Sequence, residues 1–382
     1  MRRTDFSSQA PGQLVPAADG AEAFVPAGLR PEVELSWDLL RAIDDARAVI
    51  SELTGQARLI KNIDLVIRPL ARREAVLSSR IEGTQTEVRD LLLSEAAGEA
   101  PEEDTDIYEV FNYLATIDLA QEWFADGRRL DSSLVKELHS RLLLGVRGAD
   151  KRPGAYRAQD VYIGNRAEGI HKARFIPPPV ERIPALMEDW LAFSHEDSVY
   201  SPLVDAAIAH YQFEAIHPFE DGNGRLGRLL VPLHLMQEGV LDRPLLYLSP
   251  VLLDEDRAYR DGLLAVSTEG AWTEWIIFML RAMKVAAADA LGRVQRVMEL
   301  HEQYLQKVRT ATNSKYPILA LELVMDRAFV SVPDVVQFAE TTYPTAKSAI
   351  ETLQSLGVLV PHGRIRGRQI WRAEELLREV YD

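Results

Sequence analysis

Residues 216–230 read IHPFEDGNGRLGRLL, and their reading decides how the rest of the chain is understood. Upstream, Leu203 to Ile216 carries apolar residues at helical spacing, and downstream Leu226, Leu229, Leu230 and Leu233 resume the same period. Between them, Asp221-Gly222-Asn223-Gly224 joins two glycines to two residues that favour turns and caps, which a continuous helix does not accommodate. The expected geometry is helix, tight loop, helix start. A helix N-terminus presents backbone N–H groups with no intrahelical partner, and a phosphate satisfies them.

The side chains of the stretch suit such a ligand. Arg225 and Arg228 are three apart and so are expected on one face of the first turn, two guanidinium forks matched to a polyphosphate. Asp221 offers a hard oxygen of the kind that holds Mg²⁺ beside substrate phosphates. His217 is the group whose ordinary pKa lets it accept a proton near neutrality. Taken singly, each residue fits a well-capped helical hairpin whose His and Arg pair with nearby acids. Together they point to phosphate or nucleotide chemistry with a metal and a general base.

His217 to Arg228, HPFEDGNGRLGR, resembles the signature of Fic-domain proteins without a departure. That family is known for moving AMP from ATP to a hydroxyl side chain of a protein, with pyrophosphate leaving. The resemblance implies that His217 deprotonates the target Ser, Thr or Tyr hydroxyl and that Asp221 holds Mg²⁺. It makes Asn223, with the backbone of Gly222 and Gly224, the anion cradle, and Arg225 and Arg228 the grip on the phosphate tail.

A second stretch, SSRIEGTQTEV from Ser78 to Val88, places Ser78 and Glu82 four apart on one helix face, with Gly83 interrupting. A glycine there invites close approach by another group, and an ordinary helix defect is the alternative. Ser78-x-x-x-Glu82-Gly83 is similar to the inhibitory-helix motif of the Fic family. The resemblance implies that Glu82 pairs with Arg228 and obstructs placement of the ATP γ-phosphate, since a carboxylate offers a guanidinium the same two-pronged partner that phosphate does.

Composition bounds the remaining possibilities. The chain has 382 residues, 47% hydrophobic and 26% charged, as in ordinary globular proteins, and is long enough for two or three domains. A net charge of −15 argues against indiscriminate nucleic-acid binding, and the absence of cysteine rules out disulfides and Cys-based zinc sites. Nothing reads as a signal peptide or a membrane span, so a cytoplasmic protein is expected.

In chain order, residues 1–30 read as a loose tail or an irregular packing strap. Helices are expected from Ser36, from Ala57 to Leu70 with an end near Pro69, and from about Arg72 into the 90s, then an exposed loop over Glu95–Thr105 and helices near 106–125 and 131–144. Residues 151–164 suggest a hairpin. In the Fic fold this region resembles the flap that docks the target segment by main-chain pairing, which implicates Gly154, Tyr156, Arg157, Val161 and Ile163. His210, two helical turns before His217, is expected to make a structural hydrogen bond. Tyr247 and Leu248 are candidates for the adenine side of a pocket. From Trp272 an amphipathic pattern reaches Val308, long enough to imply a break or a connection between domains.

Residues 314–382 read as three helices, a strand at Gly357–Val360, a basic turn at Pro361–Arg368 and a further strand. This resembles a winged helix-turn-helix, with Lys347 on the recognition helix and Arg364, Arg366 and Arg368 on the wing, available to DNA or, preferably, to a protein partner. The expectation for the whole chain is therefore an all-α Fic helical core with a small β-hairpin flap and a C-terminal winged helix-turn-helix. Its divisions are 1–105 with the inhibitory helix, 106–310 as catalytic core and 311–382 as the winged unit. The implied activity is an autoinhibited protein adenylyltransferase, using ATP and Mg²⁺ on a target protein or on itself, acting as a homodimer. Removal of AMP, transfer of another phosphate-bearing group, nucleotide-sensing DNA regulation and a toxin-like role remain as alternatives.

Overall fold

The computed structural model describes residues 3–98, 105–164, 169–197 and 200–381. The chain is mostly helical, with small antiparallel sheets at its two ends. The N-terminal stretch is a regular strap. Strands β1 (Gly12–Pro16) and β2 (Glu22–Pro26) pair antiparallel, and the β2 residue Phe24 is buried between Phe6 and Phe175. The sequence hides this pairing because two prolines and many alanines dilute its alternation.

Helix α1 (Trp37–Arg58) begins where Ser36 caps it, its side chain accepting from the Leu39 N–H at 3.2 Å. Helix α2 (Asp64–Ile81) runs unbroken through Pro69, where the sequence predicts two helices. An internal proline costs roughly 3 kcal/mol. Burial of Leu65, Val66, Ile67, Leu70, Ala71, Ala75 and Val76 along the same helix outweighs it. Helix α3 (Val88–Ala97) includes Glu95 and ends at Gly98, so the expected loop starts later than predicted. The remainder of that loop, 99–104, lies outside the described residues.

Helices α4 (Thr105–Ala125) and α5 (Ser132–Leu142) pack against each other, and α4 also packs on α2. After an irregular segment come α6 (Ile183–Phe193), α7 (Pro202–Ile216) and α8 (Asn223–Gln237), of which α7 and α8 form the hairpin that carries the signature. Two shorter helices follow, α9 (Ser249–Asp254) and α10 (Asp256–Glu269). Helix α11 (Trp272–Ala311) is a single rod of 40 residues, about 60 Å at 1.5 Å per residue. It packs along α1 and α7, and further along it Arg293 and Arg296 donate to the carbonyls of Val380 and Glu379.

The C-terminal elements are α12 (Tyr316–Arg327), β3 (Phe329–Ser331), α13 (Val332–Phe338), α14 (Tyr343–Ser355), β4 (Val360–Ile365) and β5 (Arg368–Arg372). The sheet order is β3-β5-β4. Strand β3 is too short to show in the sequence. The strand expected at 357–360 starts at Val360 instead, because Gly357 takes φ 72° and the N–H groups of Val358 and Leu359 still bond to Leu353. The turn shrinks to Arg366-Gly367, both with positive φ, as the type I′ form of a two-residue hairpin requires. Arg72, buried on α2, ties this end to the body: its Nε reaches Glu95 at 3.1 Å and its Nη1 the Asp326 carbonyl at 2.7 Å.

Candidate active site

Helix α7 stops because His217 turns left-handed, with φ 49° and ψ 61°, while its N–H still bonds to the Phe213 carbonyl at 3.0 Å. A histidine held at positive φ is uncommon and needs support from its surroundings. Arg157 supplies it. Its Nε donates to the His217 carbonyl at 2.9 Å, its backbone N–H to the Pro218 carbonyl at 2.9 Å, and its Nη2 to the Pro178 carbonyl. Asn223 clamps the loop from within. Its Oδ1 accepts from the Phe219 N–H at 2.9 Å and its Nδ2 donates to the Phe219 carbonyl at 2.8 Å. Both ends of that amide are thus committed to loop shape. Gly222, at φ 77°, then opens α8.

His139 on α5 braces the loop from outside. It stacks on Phe219 with centroids 3.7 Å apart, donates from Nε2 to the Asp221 carbonyl at 2.9 Å, and accepts the Gly154 N–H at Nδ1, also 2.9 Å. Burial lowers its pKa to about 4, so it is neutral, and the two bonds settle its tautomer. The His217 pKa also falls to about 4, through burial first and the Arg157 charge second. The imidazole is therefore neutral at pH 7.

The two signature arginines diverge instead of sharing a ligand. Arg225 is fully buried, donates from Nη1 to Glu109 Oε2 at 2.7 Å, and leaves Nε and Nη2 without hydrogen-bond partners; it does not line the cleft. Its charge lies behind Asp221, with Nη2 3.8 Å from Asp221 Oδ1. Glu109 is itself buried on α4, which raises its carboxyl pKa against the pull of Arg225 and Arg147. Arg228 does face the cleft. It donates from Nε to the Ser78 hydroxyl at 3.0 Å, and from Nη2 to the Ser78 carbonyl at 2.9 Å and to Glu82 Oε1 at 2.8 Å.

Glu82 caps the C-terminus of α2, and Gly83 leaves the helix at φ 102°. Open space surrounds Gly83, so its requirement is the backbone turn and not the close approach that the sequence suggested. The close approach is at Gly224, where a Cβ would lie 2.3 Å from Glu82 Oε1. The carboxylate therefore stands on the first turn of α8, where a bound phosphate would meet free N–H groups. Burial acts to raise the Glu82 pKa, but the Arg228 charge and hydrogen bond, with Arg225 and Arg260, outweigh it and hold the carboxyl below its usual value.

The cleft holds about 360 Å³ and is bounded at the phosphate-like end by Gly222, Gly224, Arg228 and Asp221. The rest of its wall is aromatic and apolar, with Tyr211, Leu263, Leu264 and Phe175, while Tyr259 stands close to Arg228. Tyr247 and Leu248, the candidates from sequence, are buried elsewhere, with Tyr247 facing Glu74 near α2. His210 makes the expected structural bonds. Its Nδ1 donates to the Gly227 carbonyl at 3.1 Å, so its Nε2 accepts from the Tyr259 hydroxyl at 2.9 Å.

Of the flap residues, Gly154, Tyr156 and Arg157 point inward. Gly154 bonds His139, Tyr156 rests against Phe219 with centroids 5.5 Å apart, and Arg157 holds His217, which removes them from a docking edge. Ile163 pairs antiparallel with Phe175 and lines the cleft beside Tyr162, with Val161 half-buried before them. Residues 165–168, between the bridge partners, lie outside the described residues. Arg364, Arg366 and Arg368 are exposed on the far hairpin, and Lys347 makes an exposed pair with Glu351 at 3.7 Å. Among the described residues no group of three or more His, Asp or Glu side chains is placed to hold a metal by itself.

Sequence reasoning missed Glu109, His139 and the cleft residue Glu214. Each is a single polar residue within a helical apolar pattern, and only that oddity signals it.

Comparison with known proteins gives a consistent picture. The family model for the Fic/DOC family N-terminal region matches residues 40–122, and that for the Fic/DOC family matches residues 129–235. A Drosophila virilis protein described as protein adenylyltransferase Fic is 30% identical over 218 residues, covering 53% of this chain and 41% of that protein. A probable protein adenylyltransferase of Aquifex aeolicus is 27% identical over 181 residues, covering 45% of this chain and 50% of that protein. The matches thus span half or less of these curated relatives. The crystal structure of a Fic family protein from Desulfovibrio desulfuricans shares the fold, with a TM-score of 0.57 at 22% identity, covering 90% of this chain and 98% of the other.

Proposed function

The chain belongs to the Fic/DOC family through residues 40–122 and 129–235, and from that premise we propose that it transfers AMP from ATP to a Ser, Thr or Tyr hydroxyl of a protein, held in check by Glu82. The observation that carries the reading is a carboxylate where a phosphate belongs. Glu82 lies against Gly224 on the first turn of α8 and takes the 2.8 Å bond from Arg228 that a phosphate oxygen would take.

In the proposed reaction the target hydroxyl oxygen attacks the α-phosphorus as its proton passes to the neutral His217 imidazole. The bond from that phosphorus to pyrophosphate breaks, and pyrophosphate leaves with the electron pair. Arg228 and the N–H groups at the start of α8 meet the charge on the departing phosphates. Arg225 acts from behind, its buried charge orienting Asp221. The donor set suits Mg²⁺: Asp221 is partly exposed beside the helix start, and magnesium characteristically takes one or two carboxylates plus substrate phosphates. When bound there, the ion would neutralise phosphate charge. Residues 311–382 are read as a winged helix-turn-helix serving protein contact in preference to DNA, given the chain's net charge of −15.

Label transfer from ATP labelled at the α-phosphate tests the reading, with and without cell lysate. Glu82→Gly is expected to label strongly, wild type weakly, and His217→Ala in the Glu82→Gly background about 10²–10⁴-fold less than Glu82→Gly alone. Transfer that survives loss of His217, or no transfer from any variant, would overturn it.

A further inference from the structure

Glu214 carries a role that the reaction above leaves unused. It lies on α7 three residues before His217, is half-buried, and lines the cleft. Its Oε1 is buried with no hydrogen-bond partner. A Cβ on Gly227 would collide with that oxygen, so the glycine makes room for it. A buried acceptor left unsatisfied is costly, and its retention calls for an explanation.

Position along the helix supplies one. Tyr211, Glu214 and Ala215 share one face of α7, at spacings of three and four, and all three line the cleft. His217 and the start of α8 stand at one end of that face. Tyr211, whose hydroxyl bonds Ser267 at 2.9 Å, stands at the other with Leu263 and Leu264. A nucleotide with its phosphates on α8 and its base on the aromatic wall brings its sugar past Glu214. The neighbouring tyrosines are already engaged, Tyr259 with His210 and Tyr211 with Ser267. A carboxylate selects for donors, and the donors at that level of a nucleotide are the ribose hydroxyls.

Resting on the donor reading above, we propose that Glu214 is a specificity-determining residue that accepts a hydrogen bond from a ribose hydroxyl of the bound nucleotide. The site then prefers ribonucleotides over their deoxy counterparts. Burial raises the Glu214 pKa to about 7, and a hydrogen bond donated by a ligand would favour the ionised form and draw it back down. Repulsion from Glu82 adds to that rise, while Arg228 and Arg260 oppose it.

Calorimetric binding of ATP, 2′-deoxy-ATP, 3′-deoxy-ATP and inosine triphosphate to the Glu82→Gly chain, alone and with Glu214→Ala or Glu214→Gln, tests this. One of the deoxy analogues is expected to bind Glu82→Gly about tenfold to a hundredfold more weakly than ATP. Glu214→Ala should bring that ratio close to one, and the amide of Glu214→Gln, which keeps an acceptor and the side-chain shape, should retain part of it. Three results would overturn the inference while leaving the donor reading intact: no deoxy discrimination in Glu82→Gly, unchanged discrimination in Glu214→Ala, or an effect of Glu214 confined to inosine triphosphate. Failure of Glu82→Gly to bind any of the four nucleotides would instead remove the donor reading, and this inference with it.

Discussion

The signature turn at 217–228 and the hairpin turn at 364–368 are made of the same residue types, arginines around glycines, and the molecule uses them in opposite ways. Gly222 and Gly367 have nearly the same φ, 77° and 81°. Gly222 opens a helix whose free N–H groups face a cleft, whereas Gly367 only reverses a strand. Arg225 and Arg228 have side chains 0% and 1% exposed, each with a buried or half-buried carboxylate partner. Arg364, Arg366 and Arg368 are exposed. A buried guanidinium is tolerated only when its charge and donors are answered, so its surroundings must be built for it. An exposed one has water to answer it. The comparison teaches that arginine content alone says little about a site; the cost of burying the charge is the informative quantity.

The largest expected effect comes from breaking that arrangement at Glu109. Glu109→Ala leaves Arg225 buried without its carboxylate and is expected to destabilise the fold by about 3–5 kcal/mol, read as a lowered melting temperature. A melt unchanged from wild type would remove the distinction between the two turns.

A smaller effect sharpens the account within the cleft. The Glu214 carboxyl has a folded pKa of about 7 against an ordinary 4.5. The folded protein therefore holds this proton more tightly than the unfolded chain does. The stability it contributes is full below pH about 4.5 and is lost as pH rises through about 7. Glu214→Gln has no proton to lose. Its melting temperature should match wild type near pH 4.5 and exceed it by a few degrees at pH 8. Parallel melting curves across that range would show that Glu214 is not held in the environment described. Smallest of all, Arg364→Ala on the exposed hairpin should change stability by less than about 0.5 kcal/mol in either direction.

Much of the site is legible in the sequence. The helix–loop–helix of the signature follows from glycines and caps set between two apolar periods, and α7 does end at Ile216 and α8 start at Asn223. The pairing of Glu82 with Arg228 follows from the resemblance, and the two side chains meet at 2.8 Å. The division of labour between Arg225 and Arg228 is not legible. Spacing puts both on one helical face, but which partner each meets depends on α4 and α2, packed there from elsewhere in the chain. The inward direction of Tyr156 and Arg157 is hidden for the same reason. A short irregular segment carries no period from which to read which side faces the core.

The features legible in the residues alone are local: the turn, the caps, the absence of thiols and the charge types gathered around one loop. Backbone freedom at Gly222 and its lack elsewhere act within a few residues, so they are written where they operate. Partnership, by contrast, is set by how the helices pack. Arg157 meets His217 across 60 positions, His139 meets Asp221 across 82, Arg225 meets Glu109 across 116 and Arg228 meets Ser78 across 150. Those contacts arise because burial of apolar faces along the chain brings helices together, and the polar groups carried into the interior must then find each other.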